Sequence, residues 1–195
     1  WMVRDQSAIV KQVGLEPHEF GRQLALNLKN AGSTVPSVQD YVKRWEGPPE
    51  SGPLSGAAKN LAQSYQALWE QSEFNALEKS HNRACQIHAP EGKVIYGRDQ
   101  LIEFLTGYTK SFRKGSYRVH HWIVNEEEGK NTRIALRWSF SAEHTGFGSF
   151  GEPTGAPVVI MAITHAEMQE DLVVREYHAI DEISLWMQIS GYSMS

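Results

Sequence analysis

An α+β fold, a curved antiparallel sheet with helices against one face, is predicted for this 195-residue chain by two observations. Apolar residues recur at helical spacing through the first half and change to strict alternation from about residue 117. The alternating runs are joined by short polar turns, "NEEEGK" (125–130) and "MQED" (168–171), as consecutive hairpins require.

The elements follow in order. Ile9, Val10 and Val13 share a helical face before Gly14. Pro17 suits the first position of a second helix, with Phe20, Leu24 and Leu28 as its apolar stripe. Val38, Tyr41, Val42 and Trp45 mark a short amphipathic piece over 37–45. "EGPPESGPLSG" (46–56) holds three Pro and three Gly, which rules out a regular element and reads as a linker. The chain thus divides into a helical extension (1–45), a linker (46–56) and a main domain (57–195). In that domain Leu61, Tyr65, Leu68 and Trp69 line one helix, and Phe74 and Leu77 continue into a second helical segment. A short strand over 94–96 ends at Gly97, and Leu101, Phe104, Leu105, Tyr108 and Phe112 mark another helix. Strands are expected at 117–125, 131–142, 157–168 and 172–181.

Composition excludes several classes. With 41% hydrophobic residues, six Trp and seven each of Tyr and Phe, the chain has ample core material. A net charge of −4 and no basic block argue against nucleic acid, whose binding neutralises phosphates. A lone Cys85 excludes an intrachain disulfide and multi-cysteine metal motifs, and suits a cytoplasmic setting. The longest apolar run, around Val158–Ile163, is too short to span a bilayer, so no membrane partner is expected. The opening "WMVRD" lacks an initiator Met, as a fragment would. One internal echo fits that: "DQSAIVKQVG" (5–14) aligns without gaps on "DEISLWMQIS" (181–190), pairing Asp5 with Asp181 and Gln12 with Gln188. Residues 1–14 are therefore expected to close a preceding copy of the domain.

Candidate chemistry sits on the last strands. Alternation places Val174, Glu176, His178 and Ile180 on one face, and Val159, Met161, Ile163 and His165 on one face of the neighbouring strand. Which face lines a cavity is not fixed by alternation. If Glu176 and His178 point inward, a carboxylate beside an imidazole gives an acid/base pair near neutral pH, with His165 as its neighbour. Tyr65, Trp69, Tyr108, Trp122 and Trp138 are expected as core and pocket wall. Arg137, mid-strand, needs a carboxylate such as Glu176, or anchors an acidic substrate. His120 and His121 are adjacent and so are expected on opposite faces. Eight histidines without a ligand-spaced motif imply no metal, and no phosphate-cradling glycine loop implies a nucleotide or flavin; no cofactor is expected. The dense stretch "EHTGFGSFGEPTGAP" (143–157) lies between two strands, where glycines and Pro153 shape a long loop. His144 and Thr145 are expected to brace it through backbone hydrogen bonds, with direct ligand contact by His144 as the alternative.

Four segments in order, "YQALWEQSEFNALEKSHNRACQIHAP", "YGRDQLIEFLTGYTKSF", "EHTGFGSFGEPTGAPV" and "EDLVVREYHAIDEISLWMQIS", resemble the SnoaL-like polyketide cyclase family of the nuclear transport factor 2-like superfamily. The likeness covers roughly residues 58–190. It implies a cone-shaped α+β barrel whose sheet wraps a pocket closed by the helices, with dimers through the sheet common. His88 resembles a position at the family's cavity entrance. The family's acid/base Asp on the closing strand is replaced here by His178. The resulting expectation is a domain binding a small, largely apolar organic molecule in an internal pocket and catalysing cofactor-independent acid/base chemistry of cyclase, isomerase or dehydratase type. The alternative is a non-enzymatic ligand-binding or dimerisation module, since the superfamily includes both. A homodimer or tandem-domain pseudo-dimer is expected.

Overall fold

The computed structural model describes residues 5–43 and 49–193. Trp45 and the first residues of the Pro/Gly segment lie outside them. Three helices lead the chain: α1 (Gln6–Gln12), α2 (Pro17–Asn30) and α3 (Val38–Lys43). The main body runs α4 (Gly56–Gln71), β1 (His81–His88), β2 (Val94–Tyr96), α5 (Arg98–Ser111), β3 (Phe112–Asn125), β4 (Thr132–His144), β5 (Pro157–Gln169), β6 (Leu172–Ile180) and α6 (Glu182–Ser193).

Six strands form one sheet in the order β2-β1-β6-β5-β4-β3. The expected antiparallel pattern holds for every neighbouring pair except β1 and β6, which run parallel. Each expected strand of the second half is found, with β3 starting five residues early. Phe112, expected on a helix, opens β3 instead. Two bulges in β3 accommodate Lys114, at φ +56°, and His120.

The inner face of the sheet holds the core. Leu61, Tyr65, Leu68 and Trp69 of α4 and Leu101, Leu105 and Tyr108 of α5 pack with Leu136, Trp138 and Phe140 of β4, all buried. Helix α6 packs on β5 and is seated there by Gln188, whose side-chain amide accepts from Val159 N–H (2.8 Å) and donates to Val159 C=O (3.0 Å). Helix α2 then packs on α6. The expected stripe of Phe20, Leu24 and Leu28 is only half-buried, and the contact is made by Pro17, Gly21 and Ala25. The reason is steric: a Cβ on Gly21 would lie 2.6 Å from Trp186 Cβ, so small residues allow the close approach and large ones flank it.

Asp5 and Asp181, paired by the internal echo, cap their helices alike, accepting from Ala8 N–H and Ser184 N–H, each at 2.9 Å. Burial differs, because Leu185 and Ile189 of α6 are buried while Ile9 and Val13 of α1 are exposed. The described part of the Pro/Gly segment lies along β3. Glu50 N–H donates to His120 C=O (2.9 Å), Trp122 N–H to Ser51 Oγ (3.1 Å) and Trp122 Nε1–H to Gly52 C=O (3.1 Å). Further along β3, Tyr117 N–H donates to Glu70 Oε1 at 2.8 Å. Among the described residues, no helix is long and apolar enough to cross a membrane.

Candidate functional site

Strand β6 carries Glu176 and His178 on the inner face, where both side chains are essentially inaccessible. Three groups converge on one carboxylate oxygen. Tyr65 of α4 donates its hydroxyl proton to Glu176 Oε2 at 2.7 Å, and His81 Nε2 and His178 Nε2 lie 2.9 and 3.2 Å from the same atom. The far nitrogens are held as well: Ser80 Oγ is 2.9 Å from His81 Nδ1, and Thr164 Oγ1 is 3.3 Å from His178 Nδ1. Trp138 Nε1–H donates to Thr164 Oγ1 at 2.9 Å, so Thr164 links Trp138 to His178. This network assigns protons to both Nε2 atoms, each aimed at Glu176.

Burial alone would raise the Glu176 carboxyl, but the charges and hydrogen bonds of His178 and His81 more than reverse it and hold it well below the usual range. Burial and then the Glu176 charge push the Tyr65 phenol well up, so it stays a proton donor. Glu176 Oε1, by contrast, is buried with no hydrogen-bond partner. Trp69 Nε1 and the Tyr117 hydroxyl are likewise buried without partners, and both rings pack on Trp138 at 5.3 Å. An ionised carboxylate with a free oxygen, two imidazoles and a phenol can accept, relay and return a proton. Among the described residues, no group of His, Cys, Asp and Glu is arranged to hold a metal ion.

Several sequence expectations are corrected here. His165 does not join His178. The β5–β6 register sets Thr164 opposite His178 and His165 opposite Tyr177, so His165 lies on the outer face. Val174 leaves the Glu176 face because a bulge lets β6 advance two residues, Val173 to Arg175, while β5 moves one. Arg137 points outward and pairs with Glu50 Oε1 at 2.8 Å, not with Glu176. His88 is also outside, its ring stacked on Tyr177 at 4.4 Å. His120 and His121 both line an outer-face cavity, because the bulge between Val119 and His121 breaks the alternation. Tyr108 is in the core, but its hydroxyl donates to Glu182 Oε1 at 2.5 Å rather than toward Glu176. Trp122 is half-buried against the edge of the core and tied to Gly52. His144 braces its loop: its Nδ1 lies 3.1 Å from Thr154 Oγ1, and its backbone exchanges bonds with Ala156 and Gly155. Tyr65, Trp69 and Trp138 lie in the inner core.

Sequence reasoning missed His81, Thr164 and Tyr117. Thr164 meets His178 through the β5–β6 register, and His81 reaches the cluster through the parallel β1–β6 pairing.

Glu182 is a second buried acid, and burial pushes its carboxyl up. A raised acid penalises folding when ionised, so its contribution improves as pH falls from neutral toward the ordinary value near 4.5. Glu182→Gln is expected to remove that gain, and urea midpoints between pH 7 and pH 5 check it.

Among the described residues, two neighbouring cavities lie on the outer face of the sheet. One of about 780 Å³ is lined by Ile123, Ala135, Arg137, Met161, Ile163 and His165, among others. The other, of about 460 Å³, is lined by His88, Lys93, Tyr177 and His165 among others. The inner face is filled by aromatic rings, and Phe150 of the 145–156 loop packs against Tyr108, Phe112 and Trp186.

A curved sheet closed by helices around an inward carboxylate–imidazole–phenol cluster defines an α+β barrel of the nuclear transport factor 2-like kind. Within that class the chain belongs to the SnoaL-like polyketide cyclase family, whose profile matches residues 59–189. Solved structures share the fold at low identity. TsrD from Streptomyces laurentii superposes with a TM-score of 0.59 at 14% identity, covering 71% of this chain and 99% of that one. A protein assigned provisionally as a SnoaL-like polyketide cyclase, from Jannaschia sp. CCS1, gives 0.54 at 14%, covering 72% and 98%. AclR from Streptomyces galilaeus, assigned provisionally as a hydroxylase, gives 0.55 at 20%, covering 70% and 87%. No curated protein matches the sequence.

Proposed function

We propose that this domain holds a small, largely apolar organic molecule inside the cone and catalyses cofactor-independent acid/base chemistry of cyclase, isomerase or dehydratase type. The observation that carries this reading is Glu176: an inaccessible carboxylate, held ionised, with one oxygen bound three times and the other bound to nothing. A protein stabilised only by packing gains nothing from such an arrangement over an apolar core of equal volume. Glu176 Oε1 takes a proton from the substrate while His178, His81 and Tyr65 hold Oε2 by hydrogen bonds, and the same oxygen returns that proton to the rearranged substrate. Trp69 Nε1–H and the Tyr117 hydroxyl are free to hold a substrate oxygen. Entry requires Phe150 and Trp186, in ring contact at 5.0 Å, to part.

A second reading, a non-enzymatic binding or dimerisation module, is favoured by the packing itself. Trp69, Tyr108, Trp138 and Phe140 are at most 3% exposed, and they occupy the space a ligand needs. Proton exchange separates the two. Small ketones in D₂O, followed by NMR, should exchange α-protons faster with the protein. His178→Gln should cut that rate on the order of 100-fold. No acceleration by the wild type over a panel of ketones, or wild-type exchange rates in both His178→Gln and Glu176→Gln, would sink the enzyme reading.

A further inference from the structure

The family profile begins at residue 59, so α1 and α2 lie outside the shared domain. They are nonetheless tied to it at both ends. Helix α1 is clasped to the turn through Pro90–Gly92: Lys11 Nζ meets Glu91 Oε2 at 2.6 Å, and Gly92 N–H donates to Asp5 Oδ2 at 3.1 Å. Ser7 and Val10 of the same helix are buried, Ser7 beside Glu182 at the start of α6. Helix α2 lies on α6, where Gly21 leaves no room for a Cβ against Trp186. The His18 ring meets Trp186 edge-on at 5.8 Å.

Trp186 therefore touches α2 as well as Phe150, and its contact with Phe150 is the one that must part to admit a molecule to the cone. A ring in a close-packed interior cannot swing into occupied space, so α2 holds Trp186 in place while it stays seated. How firmly it is seated follows from what it buries. Helices α1 and α2 bury Ser7, Val10, Pro17, Gly21 and Ala25, whereas α4 alone buries Leu61, Tyr65, Leu68 and Trp69. Lifting α1 and α2 exposes far less apolar surface than unpacking α4, so they open before the barrel does. The clasp is modest too. The Lys11 and Glu91 side chains are 38% and 19% exposed, and Lys93, at 3.2 Å, competes for the same Glu91 oxygen.

We infer that α1 and α2 form a strap governing entry to the cone: clasped at Glu91, it keeps Trp186 against Phe150, and its release lets the two rings part. The inference rests on the ligand site proposed inside the cone. Its test needs no turnover, so either can fail without the other.

The test is hydrogen exchange of the whole chain, read by mass spectrometry, beside labelling of Cys85 with N-ethylmaleimide. Cys85 is the lone thiol and is fully buried on β1 in the inner core, so its labelling reports access to the cone. Lys11→Glu loosens the clasp, and Gly21→Val unseats α2 from Trp186. Each should speed exchange over residues 5–30 and over the 145–156 loop by about fivefold, the equivalent of one exposed ion pair. Cys85 labelling should rise by the same factor, while β4 exchanges at the wild-type rate and so shows that the variants fold. Faster exchange over 5–30 with the 145–156 loop unchanged overturns the inference, because the strap then lifts without opening anything. So do an equal rise in β4, unchanged Cys85 labelling, or no change in either variant.

Discussion

Replacing Glu176 by Ala is expected to destabilise the chain by about 3–5 kcal/mol, the cost of breaking a buried ionic cluster from one side. The substitution strands three partners at once, because Tyr65, His81 and His178 all address the same oxygen. For a chain of this length the melting temperature should fall by roughly 6–20 °C, which scanning calorimetry reads directly. The pH dependence has a definite sign. A carboxyl held below its ordinary value stabilises the fold fully above about 4.5, and that contribution is lost as pH falls further. Glu176→Gln should therefore flatten the acid limb of the stability curve below pH 4.5 while leaving its slope near neutrality alone. A Glu176→Ala protein melting within 2–3 °C of wild type (about 1 kcal/mol) would show that the cluster contributes little.

Gly146→Ala should be nearly as damaging, at about 3 kcal/mol, the upper end for overpacking. A Cβ at this position would lie 1.8 Å from the carbonyl oxygen of Lys110, and backbone cannot step aside as a side chain can. The loop sits that close because it completes the end of α5. Thr145 and Gly146 N–H both donate to Ser111 C=O, and Ser149 N–H to Gly107 C=O. Ser111 is the last residue of α5, so its carbonyl has no partner further along the helix and the loop satisfies it, while Gly107 C=O is shared between Ser149 N–H and the Ser111 hydroxyl. Gly151→Ala is the control. It has a φ of +80° with open space around it, so only the left-handed conformation is penalised, about 1–2 kcal/mol. Equal melting temperatures for the two variants would count against the close approach as the cause.

The dense glycine stretch is thus chiefly a brace between a helix end and the sheet, as its turn chemistry predicts. Much of the fold is legible because its signals are local. Strand β5 begins at the expected residue and ends one later, and the inward set Glu176, His178 and Ile180 follows from a period of two. What escaped depends on relations between distant segments. Alternation says that Met161, Ile163 and His165 share a face, but only the cross-strand register reveals that Thr164, not His165, meets His178. His81 enters through a parallel pairing of strands 95 residues apart, which no hairpin rule supplies. Helix α2 misled for a different reason: size is a poor guide to burial where a glycine permits backbone contact, so Gly21 and Ala25 are buried ahead of Phe20 and Leu24.

The segment through Glu50–Gly52 and the Glu70 side chain also decide how this sheet can meet other chains. A terminal strand of 14 residues would ordinarily offer a template on which a foreign strand can grow. Here Tyr117 N–H, His120 C=O and Trp122 N–H are already taken along that border. The opposite border is β2, only three residues long. With neither border inviting, strand-by-strand recruitment into fibrils or swapped sheets is disfavoured. Association is left to the faces of the sheet, where side-chain chemistry can choose the partner.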